Sequence, residues 1–305
     1  MGAHSFHQLD VFTRQPLAGN PLAVFPDASG LDAATMQRLA REMNLSETTF
    51  VLPSSVATRR VRFFTPAAEI PLAGHPTIGT WWYLAESGAL QLNPNGTTRV
   101  TQETGGGVLP VDIETKDGKP TRVVMTQAEP QFGEPVTGGA KLAKALGGGA
   151  GLLPKQPAPQ VVSTALPQLM VPVRSLERLQ ALPSGGAGMA LATLLHAAGT
   201  DCAMLYTTET VDPEATIHCR MFAPGLGVPE DPATGSAAGA LGCYLVWHGL
   251  VRPHDGAARV VIEQGLEIGR PSLIHVEVAV GNGGEITSVR VGGEAVTVIS
   301  GEVRL

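Results

Sequence analysis

The sequence predicts an α+β protein made of two similar lobes, on the evidence of its length, its composition and an internal repeat. The chain has 305 residues, enough for two domains of about 150 residues each. Hydrophobic residues make up 43% and charged residues 16%, a composition typical of soluble globular proteins. Residues 62–71 match residues 220–229 at an arginine, a phenylalanine, two prolines and a branched aliphatic residue. After a two-residue gap, 75–80 aligns with 231–236. One repeat is too few for a solenoid and favours two lobes related by pseudo-twofold symmetry.

The first half predicts strands that alternate with two helices. "LDVFTRQPLAGNPLAVFP" is typical of a strand, a turn and a second strand. A helix capped by Asp32 follows, with apolar residues at helical spacing. "SETTFVLP" and "TRRVRFFTP" alternate as strands, and "HPTIGTWWYLAESG" predicts a helix that begins at a proline and ends at Gly88. "TTRVTQET", "GVLPVDIET" and "RVVMTQ" are expected to be further strands.

Residues 131–159 are interpreted as a linker, because a short helical pattern is embedded there in glycine and proline. The predicted lobes are therefore 1–130 and 160–294. After the linker the order of elements starts again, with "LPQLMVPV", "CAMLYTT" and "TIHCRMFA" as strands and "SLERLQAL" as a helix. "GSAAGALGCYLVWHG" is an apolar helix, and four more strands follow it. The second half repeats the plan of the first.

Charge and hydropathy exclude several classes of partner. The net charge is −6, with no cluster of basic residues, so no nucleic-acid partner is expected. The N-terminus lacks a basic and apolar leader, and the apolar helix over 236–251 is shorter than the roughly 20 residues of a membrane span. We expect no membrane partner and a cytoplasmic location. Cys202, Cys219 and Cys243 lack C-x-x-C spacing and are interpreted as buried free thiols.

In both copies of the repeat, a strand ends in a Pro/Gly loop that leads directly into an apolar helix. The first N–H groups of such a helix favour an anion, such as a substrate carboxylate. His75 lies at this point in one copy, and Asp231 and Ser236 lie there in the other. The alternative is that Asp231, Thr234 and Ser236 only cap a helix. The alignment of His75 with Asp231 weakens that alternative, because capping does not require a polar group at equivalent positions.

Glu47, in "NLSETTF", is a third candidate. A carboxylate between a helix and a strand is usually solvated, yet the neighbouring sequence is apolar. Burial would raise the pKa of this carboxyl towards the range of a general acid or base. The sequence leaves both interpretations open.

Five blocks together resemble the PhzF family, the phenazine-biosynthesis-type isomerases that share the fold of diaminopimelate epimerase. They are "DVFTRQPLAGNPLAVF", "LSETTFV", "FFTPAAEIPLAGHPTIGT", "EDPATGSAAGALGCYL" and "QGLEIGRPS", in the family's order. The resemblance implies two lobes, each a curved, mostly antiparallel sheet rolled around a central helix, with the site in a cleft between the lobes. It also implies that the last strand, about 295–305, returns to the first lobe. A homodimer is common in such families.

The resemblance also implies roles for individual residues. Glu47 matches the family's acid/base glutamate, His75 matches its site histidine, and Asp231 and Ser236 match its aspartate and serine; Glu47, His75 and Asp231 are expected to be catalytic. Substrate binding is expected from the two loops at Gly74, Thr234, Gly235 and Ser236. No metal and no cofactor are expected.

This chain departs from related patterns in two places. The epimerases of this fold use two opposed cysteines, but the loops "LAGHPTIG" and "EDPATGS" contain none, so a two-thiol mechanism is not expected. The segment Glu103-Thr-Gly-Gly-Gly107 differs from the family's "ET-x-A-G", and its glycines are expected to loosen a strand near the site.

The leading hypothesis is a cofactor-independent isomerase that moves a proton between carbons of a small carboxylated substrate. One alternative is a catalytically inactive protein that binds a small molecule. Another is a serine hydrolase that uses Ser236, His75 and Asp231, although Ser236 is not in a G-x-S-x-G elbow.

Overall fold

The computed structural model describes residues 2–305, which form two compact units. Unit 1 contains the chain up to Thr126 together with Gly292–Leu305, and unit 2 is Gln127–Val291. The α+β fold class predicted from the sequence is confirmed, because each unit combines a mostly antiparallel sheet with helices.

The elements are numbered in chain order. The strands are β1 (Ala3–Val11), β2 (Asn20–Phe25), β3 (Glu47–Leu52), β4 (Arg59–Phe64), β5 (Glu69–Ile70), β6 (Gly96–Thr104), β7 (Gly107–Lys116), β8 (Lys119–Gln127), β9 (Gln131–Pro135), β10 (Gln160–Ser163), β11 (Pro167–Pro172), β12 (Ala203–Thr207), β13 (Ile217–Ala223), β14 (Val228–Asp231), β15 (Ala257–Gln264), β16 (Ser272–Val280), β17 (Ile286–Gly293) and β18 (Ala295–Arg304). The helices are α1 (Ala33–Met43), α2 (Gly74–Glu86), α3 (Gly139–Ala145), α4 (Leu176–Gln180), α5 (Met189–Ala197) and α6 (Gly235–Trp247).

The sheet of unit 1 wraps around α2. Its strand order is β18-β1-β2-β3-β4-β6-β7-β8, with parallel pairs at β2/β3 and β4/β6 and antiparallel pairs elsewhere. Helix α2 packs against β1, β2, β3, β7 and β18, and most of its residues are buried. Gly79 permits this close packing, because a Cβ there would lie 2.6 Å from Leu22 and 2.7 Å from Val11.

Helix α1 packs on the outer side of the same sheet, against β3 and β4. Asp32 caps it as the sequence predicts, because the carboxylate accepts a hydrogen bond from the Thr35 amide at 2.8 Å. The helix ends at Asn44, which adopts the left-handed conformation with φ 51°. Its buried residues Met36 and Leu39 pack in a hydrophobic cluster with Phe50 of β3 and Phe64 of β4.

Unit 2 repeats this plan around α6. Its strand order is β9-β10-β11-β12-β13-β15-β16, again with two parallel pairs, β11/β12 and β13/β15. Helix α6 packs against β10, β11, β15 and β16, so it occupies the place that α2 has in unit 1. Gly242 allows the contact, because a Cβ there would lie 2.7 Å from Val276.

Residues 131–159 are not a linker, contrary to the sequence interpretation. Strand β9 pairs with β10 in the sheet of unit 2. Leu142, Leu146 and Leu152 are buried in the hydrophobic core that also contains Leu205 and Phe222. The glycines of this segment lie in turns between packed elements, and the apolar residues between them contribute to the core of unit 2. The chain returns to unit 1 within β17, and β18 pairs with β1 along its length.

The repeated arginine and phenylalanine make the same two contacts in both units. The guanidinium of Arg62 lies over the ring of Phe64 at 5.2 Å, and that of Arg220 lies over Phe222 at 5.0 Å. Each arginine also forms a two-pronged pair with a glutamate. The repeat in the sequence therefore reflects one structural device that is used twice.

The sequence prediction that the protein has no membrane partner rests on the length of its apolar helices. In the region from residue 2 to residue 305, no helix combines the length and the apolar character that a bilayer crossing requires. The cytoplasmic location and the homodimer stay predictions.

Candidate functional site

Glu47 is the first residue of β3 and faces the central helix of unit 1. It lies opposite Leu22 in the parallel register of β2 and β3, and Leu22 packs towards Gly79 of α2. The Glu47 side chain is only 20% exposed. Burial raises the pKa of the Glu47 carboxyl above its usual value, and a hydrogen bond from Ser46 partly opposes the increase. The buried alternative of the sequence analysis is therefore the one that the structure favours.

His75 lies in the first turn of α2, and its side chain is 8% exposed. Its Nε2 atom is 3.6 Å from Oε2 of Glu47, so the structure brings two of the predicted catalytic residues together within unit 1. Gly74, the residue before it, begins the helix. Ala73 at the N-cap position has only a methyl group to offer, so it cannot satisfy the first helical N–H groups as a polar cap would.

Asp231, Thr234, Gly235 and Ser236 lie together in unit 2, at the start of α6. Asp231 ends β14 and Thr234 is the N-cap residue. The Thr234 hydroxyl donates a hydrogen bond to Asp231 Oδ2 rather than accepting one from the helix. Capping therefore does not explain Thr234, and this threonine instead holds the aspartate.

The alignment that placed His75 on Asp231 is wrong in structural terms. His75 is the second residue of α2, and the second residue of α6 is Ser236. Asp231 lies outside the helix, at the end of β14. The alignment made the second copy two residues shorter, whereas the segment from Pro229 to the start of α6 is three residues longer than the segment from Pro71 to the start of α2. The two candidate residues therefore occupy different places in the two units, since His75 lies within the helix and Asp231 lies before the loop that leads to the helix.

Two residues that sequence reasoning missed hold the first turn of α6. The Gln127 amide donates to the carbonyl of Gly235 at 2.9 Å, and the Thr164 hydroxyl donates to Gln127 Oε1 at 2.6 Å. Gly239 provides the space for this amide, because a Cβ there would overlap Oε1 and lie 2.6 Å from Cδ of Gln127. The small-residue pattern of α6 was a signal for a close approach, but it did not identify the partner.

Gln264 is a third residue that was missed, although it lies in the quoted block "QGLEIGRPS". It is fully buried. Its Nε2 atom donates to the Asp231 carbonyl at 2.7 Å and to the Thr234 hydroxyl at 3.0 Å, and its Oε1 accepts from the Thr234 amide at 3.3 Å. This single side chain therefore fixes both ends of the loop that precedes α6.

The glycines after Glu103 do not loosen a strand, contrary to expectation. They form a tight hairpin, in which Thr104 pairs with Gly107 across a two-residue turn. Gly105 lets this turn approach the loop before α2, because a Cβ there would lie 2.9 Å from Cα of Pro71. The hairpin therefore supports the loop that leads to His75.

The three cysteines are buried free thiols, as predicted. Burial raises the pKa of Cys202 to about 11 and that of Cys243 to about 12, and it also raises the pKa of Cys219. Thiols of this kind are poor nucleophiles at neutral pH. This agrees with the sequence argument against a two-thiol mechanism.

A buried network of charges lies behind the Asp231 loop. His218 bonds through Nδ1 to Glu263 at 2.6 Å and through Nε2 to Glu267 at 2.8 Å. Burial alone would lower the pKa of His218, but the bonds to Glu267 and Glu263 raise it overall. Both ring nitrogens face carboxylates, so this group is an ion network. Within residues 2–305, no three or more His, Cys, Asp or Glu side chains are arranged to hold a metal ion.

The fold and the site together define a class of protein. Each unit is a curved, mostly antiparallel sheet around a central helix, and unit 1 carries a carboxyl–imidazole pair at the start of that helix. The chain belongs to the PhzC-PhzF family of phenazine biosynthesis-like proteins, whose family model matches residues 9–301. The resemblance stated from the sequence is confirmed.

The similarity to known proteins covers nearly the whole length of this chain. An uncharacterized isomerase of Clostridium acetobutylicum is 36% identical over 307 residues, covering 99% of this chain and 98% of its own length. Trans-2,3-dihydro-3-hydroxyanthranilate isomerase of Pseudomonas aeruginosa is 36% identical, covering 99% of this chain and all of its own. The crystal structure of a PhzF-family phenazine biosynthesis protein from Bacillus anthracis has a TM-score of 0.89 at 30% identity, with 100% of both chains covered.

Proposed function

We propose that this protein is a cofactor-independent isomerase that moves a proton between two carbons of a small carboxylated substrate, with Glu47 as the acid/base group. The observation that carries the proposal is the largely buried Glu47 carboxyl, whose pKa is raised and whose Oε2 lies 3.6 Å from Nε2 of His75. A carboxyl with a raised pKa is a stronger base than a solvated one, and its acid form is available nearer to neutral pH. The isomerase names of the full-length relatives support the same reaction class.

The proposed step needs no group other than a carboxyl. Ionised Glu47 takes a proton from a substrate carbon, and the electron pair of the broken C–H bond moves into the adjoining unsaturated system. Protonated Glu47 then gives the proton to a second carbon of that system, and the double bonds shift accordingly. A single base that takes and returns the proton favours transfer on one face of the substrate.

The remaining predicted residues have supporting roles in this proposal. His75 orients the Glu47 carboxyl or relays its proton, and Asp231 acts as a second polar helper. Gly74, Thr234, Gly235 and Ser236 bind the substrate carboxylate, together with N–H groups at the starts of α2 and α6. The cleft between the lobes, which the sequence analysis expected, stays a prediction.

The name of the Pseudomonas aeruginosa relative indicates the kind of substrate to try first. That enzyme is named for trans-2,3-dihydro-3-hydroxyanthranilate, a cyclic carboxylic acid with amino and hydroxyl groups. We propose small cyclic and amino carboxylic acids as the substrate class of this chain.

The test is proton exchange with solvent. Wild type and Glu47→Gln are incubated in deuterated water with trans-2,3-dihydro-3-hydroxyanthranilate and a panel of small cyclic and amino acids, and the products are analysed by mass spectrometry. Glu42→Gln is the matched control, because Glu42 is an exposed carboxylate on α1. Deuterium uptake or an isomerised product is expected with wild type and Glu42→Gln and is expected to be lost in Glu47→Gln.

Two results would contradict the proposal. Exchange that persists in Glu47→Gln would remove Glu47 from the acid/base role. Tight binding of an acid from the panel without exchange would favour the binding-protein alternative.

Two of the three residues of the serine hydrolase alternative have partners outside the triad. Asp231 is held by the Thr234 hydroxyl, and His75 lies next to Glu47. Labelling of Ser236 by a fluorophosphonate would reopen this alternative.

A further inference from the structure

We propose that Gln264 is a positioning residue that sets the orientation of the Asp231 carboxylate through the hydroxyl of Thr234. Gln264 belongs to neither of the loops that the sequence analysis singled out. The inference rests on the proposed function only in taking Asp231 as a group that acts on the substrate.

The contacts form a directed chain of hydrogen bonds. Gln264 Nε2 donates to Thr234 Oγ1 at 3.0 Å, and the same hydroxyl donates its proton to Asp231 Oδ2. A hydroxyl has only one proton to give. Because the amide of Gln264 occupies an acceptor site of the hydroxyl, the proton of Thr234 is directed to the aspartate. The Gln264 amide therefore determines the direction in which the Thr234 hydroxyl donates its proton.

Gln264 also holds the backbone on both sides of the aspartate loop. Its Nε2 atom binds the carbonyl of Asp231 at 2.7 Å, and its Oε1 accepts the amide proton of Thr234 at 3.3 Å. These bonds fix the separation of the two residues. Because Gln264 is fully buried, losing one of them would leave a polar group unsatisfied away from water.

The residue before Asp231 is anchored in the interior. Glu230 pairs with Arg220 through two bonds of 2.8 and 2.7 Å, and side-chain exposure is 1% for the glutamate and 2% for the arginine. Arg220 also donates to the carbonyls of Leu179 and Leu182. The end of β14 is therefore anchored at the residue that precedes Asp231.

The residue before Gln264 is anchored as well. Glu263 binds His218 and accepts the backbone amides of Val211 and Asp212, both at 2.7 Å. The hydrogen bonds of Glu263 therefore hold the backbone immediately before Gln264 in place.

Gly265 lets the two segments approach each other. It has φ 81°, and a Cβ there would lie 2.5 Å from the carbonyl oxygen of Pro232, so a larger residue would push the loop away. Ser272 adds a bond of 3.0 Å to the same carbonyl. The loop that carries Asp231 is thus fitted onto the turn that carries Gln264.

The experiment compares Gln264→Leu, Thr234→Val and Thr234→Ser with wild type in the deuterium-exchange assay. Gln264→Leu and Thr234→Val remove the donor chain at nearly constant volume, and Thr234→Ser keeps the hydroxyl. We expect kcat to fall by about 10–100-fold in the first two variants with KM changed by less than about threefold, and we expect Thr234→Ser, which keeps the hydroxyl, to lose less kcat than Thr234→Val. The double variant Gln264→Leu/Thr234→Val should be no slower than the slower single variant, because both changes remove one chain.

Gln160→Leu is the matched control for a purely structural effect. Gln160 is also a buried glutamine of unit 2, and its amide bonds to the Gly133 carbonyl and to His248. This variant should lose stability and keep its kcat. If Gln264→Leu and Thr234→Val keep wild-type kcat while Asp231→Asn loses it, the positioning role is refuted.

A second measurement does not depend on turnover. The 13C chemical shift of the Asp231 carboxyl carbon reports the bond from Thr234, and it should change in Gln264→Leu and not in Gln160→Leu. An unchanged shift in Gln264→Leu overturns the positioning role, whatever the substrate. Absence of exchange by wild type, together with a changed shift, contradicts the proposed function and leaves the positioning role supported.

Discussion

The substitution Gly239→Ala gives the sharpest test of how the first turn of α6 is held. In most helices an alanine in place of glycine stabilises by about 0.5–1 kcal/mol. Here the new Cβ would overlap Oε1 of Gln127 and lie 2.6 Å from its Cδ. The amide must move, which breaks its bonds to Gly235 and Thr164. The structure therefore predicts that Gly239→Ala lowers the free energy of unfolding, whereas such a substitution in most helices raises it.

The magnitude follows from those contacts. Two lost hydrogen bonds cost about 1–3 kcal/mol, and overpacking of a buried site costs about 1–3 kcal/mol more. Alanine returns about 1 kcal/mol of helix propensity. We expect the free energy of unfolding to fall by about 1–5 kcal/mol, which lowers Tm by about 2–4 °C for each kcal/mol in a domain of this size.

The assay is urea denaturation together with differential scanning calorimetry. Gly139→Ala in α3 is the control, because a Cβ there would make an ordinary contact of 3.5 Å with Leu153, and it should be neutral or stabilising. Adding Gln127→Ala to Gly239→Ala should recover part of the loss, because the overlap disappears. A Gly239→Ala protein with an unchanged or higher Tm would refute the reasoning.

Three further predictions concern ionisable groups. Because burial raises the pKa of Glu47, its ionised form destabilises the fold, so Glu47→Gln should raise Tm at pH 8 and not at pH 4, as a pH series of thermal scans will show. Glu230→Gln breaks a buried ion pair and should lower the free energy of unfolding, measured by urea denaturation, by about 3–5 kcal/mol. Glu69→Gln breaks the more exposed pair of unit 1 and should lower it by less than about 1 kcal/mol. Equal losses in the two variants would contradict this. The raised pKa of His218 gives stability that is complete below pH about 6.5 and is lost as pH rises through the folded-state pKa. Urea midpoints between pH 6 and 10 should therefore fall in wild type and fall less in His218→Gln.

The sequence by itself determined the fold class, the family and most of the elements. Alternating apolar residues predicted strands such as β3 and β4, and Asp32 predicted the start of α1, because these signals are local and survive without tertiary context. The repeated arginine, phenylalanine and prolines predicted two similar units, because each copy makes the same contacts within its own sheet. Glu47, His75 and Asp231 were identified as candidates by residue type and position.

The tertiary structure decided what those signals could not. Composition identified residues 131–159 as a linker, but packing places Leu142 and Leu146 in a core, since glycine content does not show whether the leucines between the glycines find partners. Motif spacing could not show that the segment before α6 is longer than the segment before α2, so that Asp231 lies in a strand outside the helix whereas His75 lies within one. The raised pKa of Glu47 depends on burial, and the role of Gln264 depends on contacts across about 30 residues of chain. Burial and long-range hydrogen bonds arise from the folded arrangement, which local sequence does not encode.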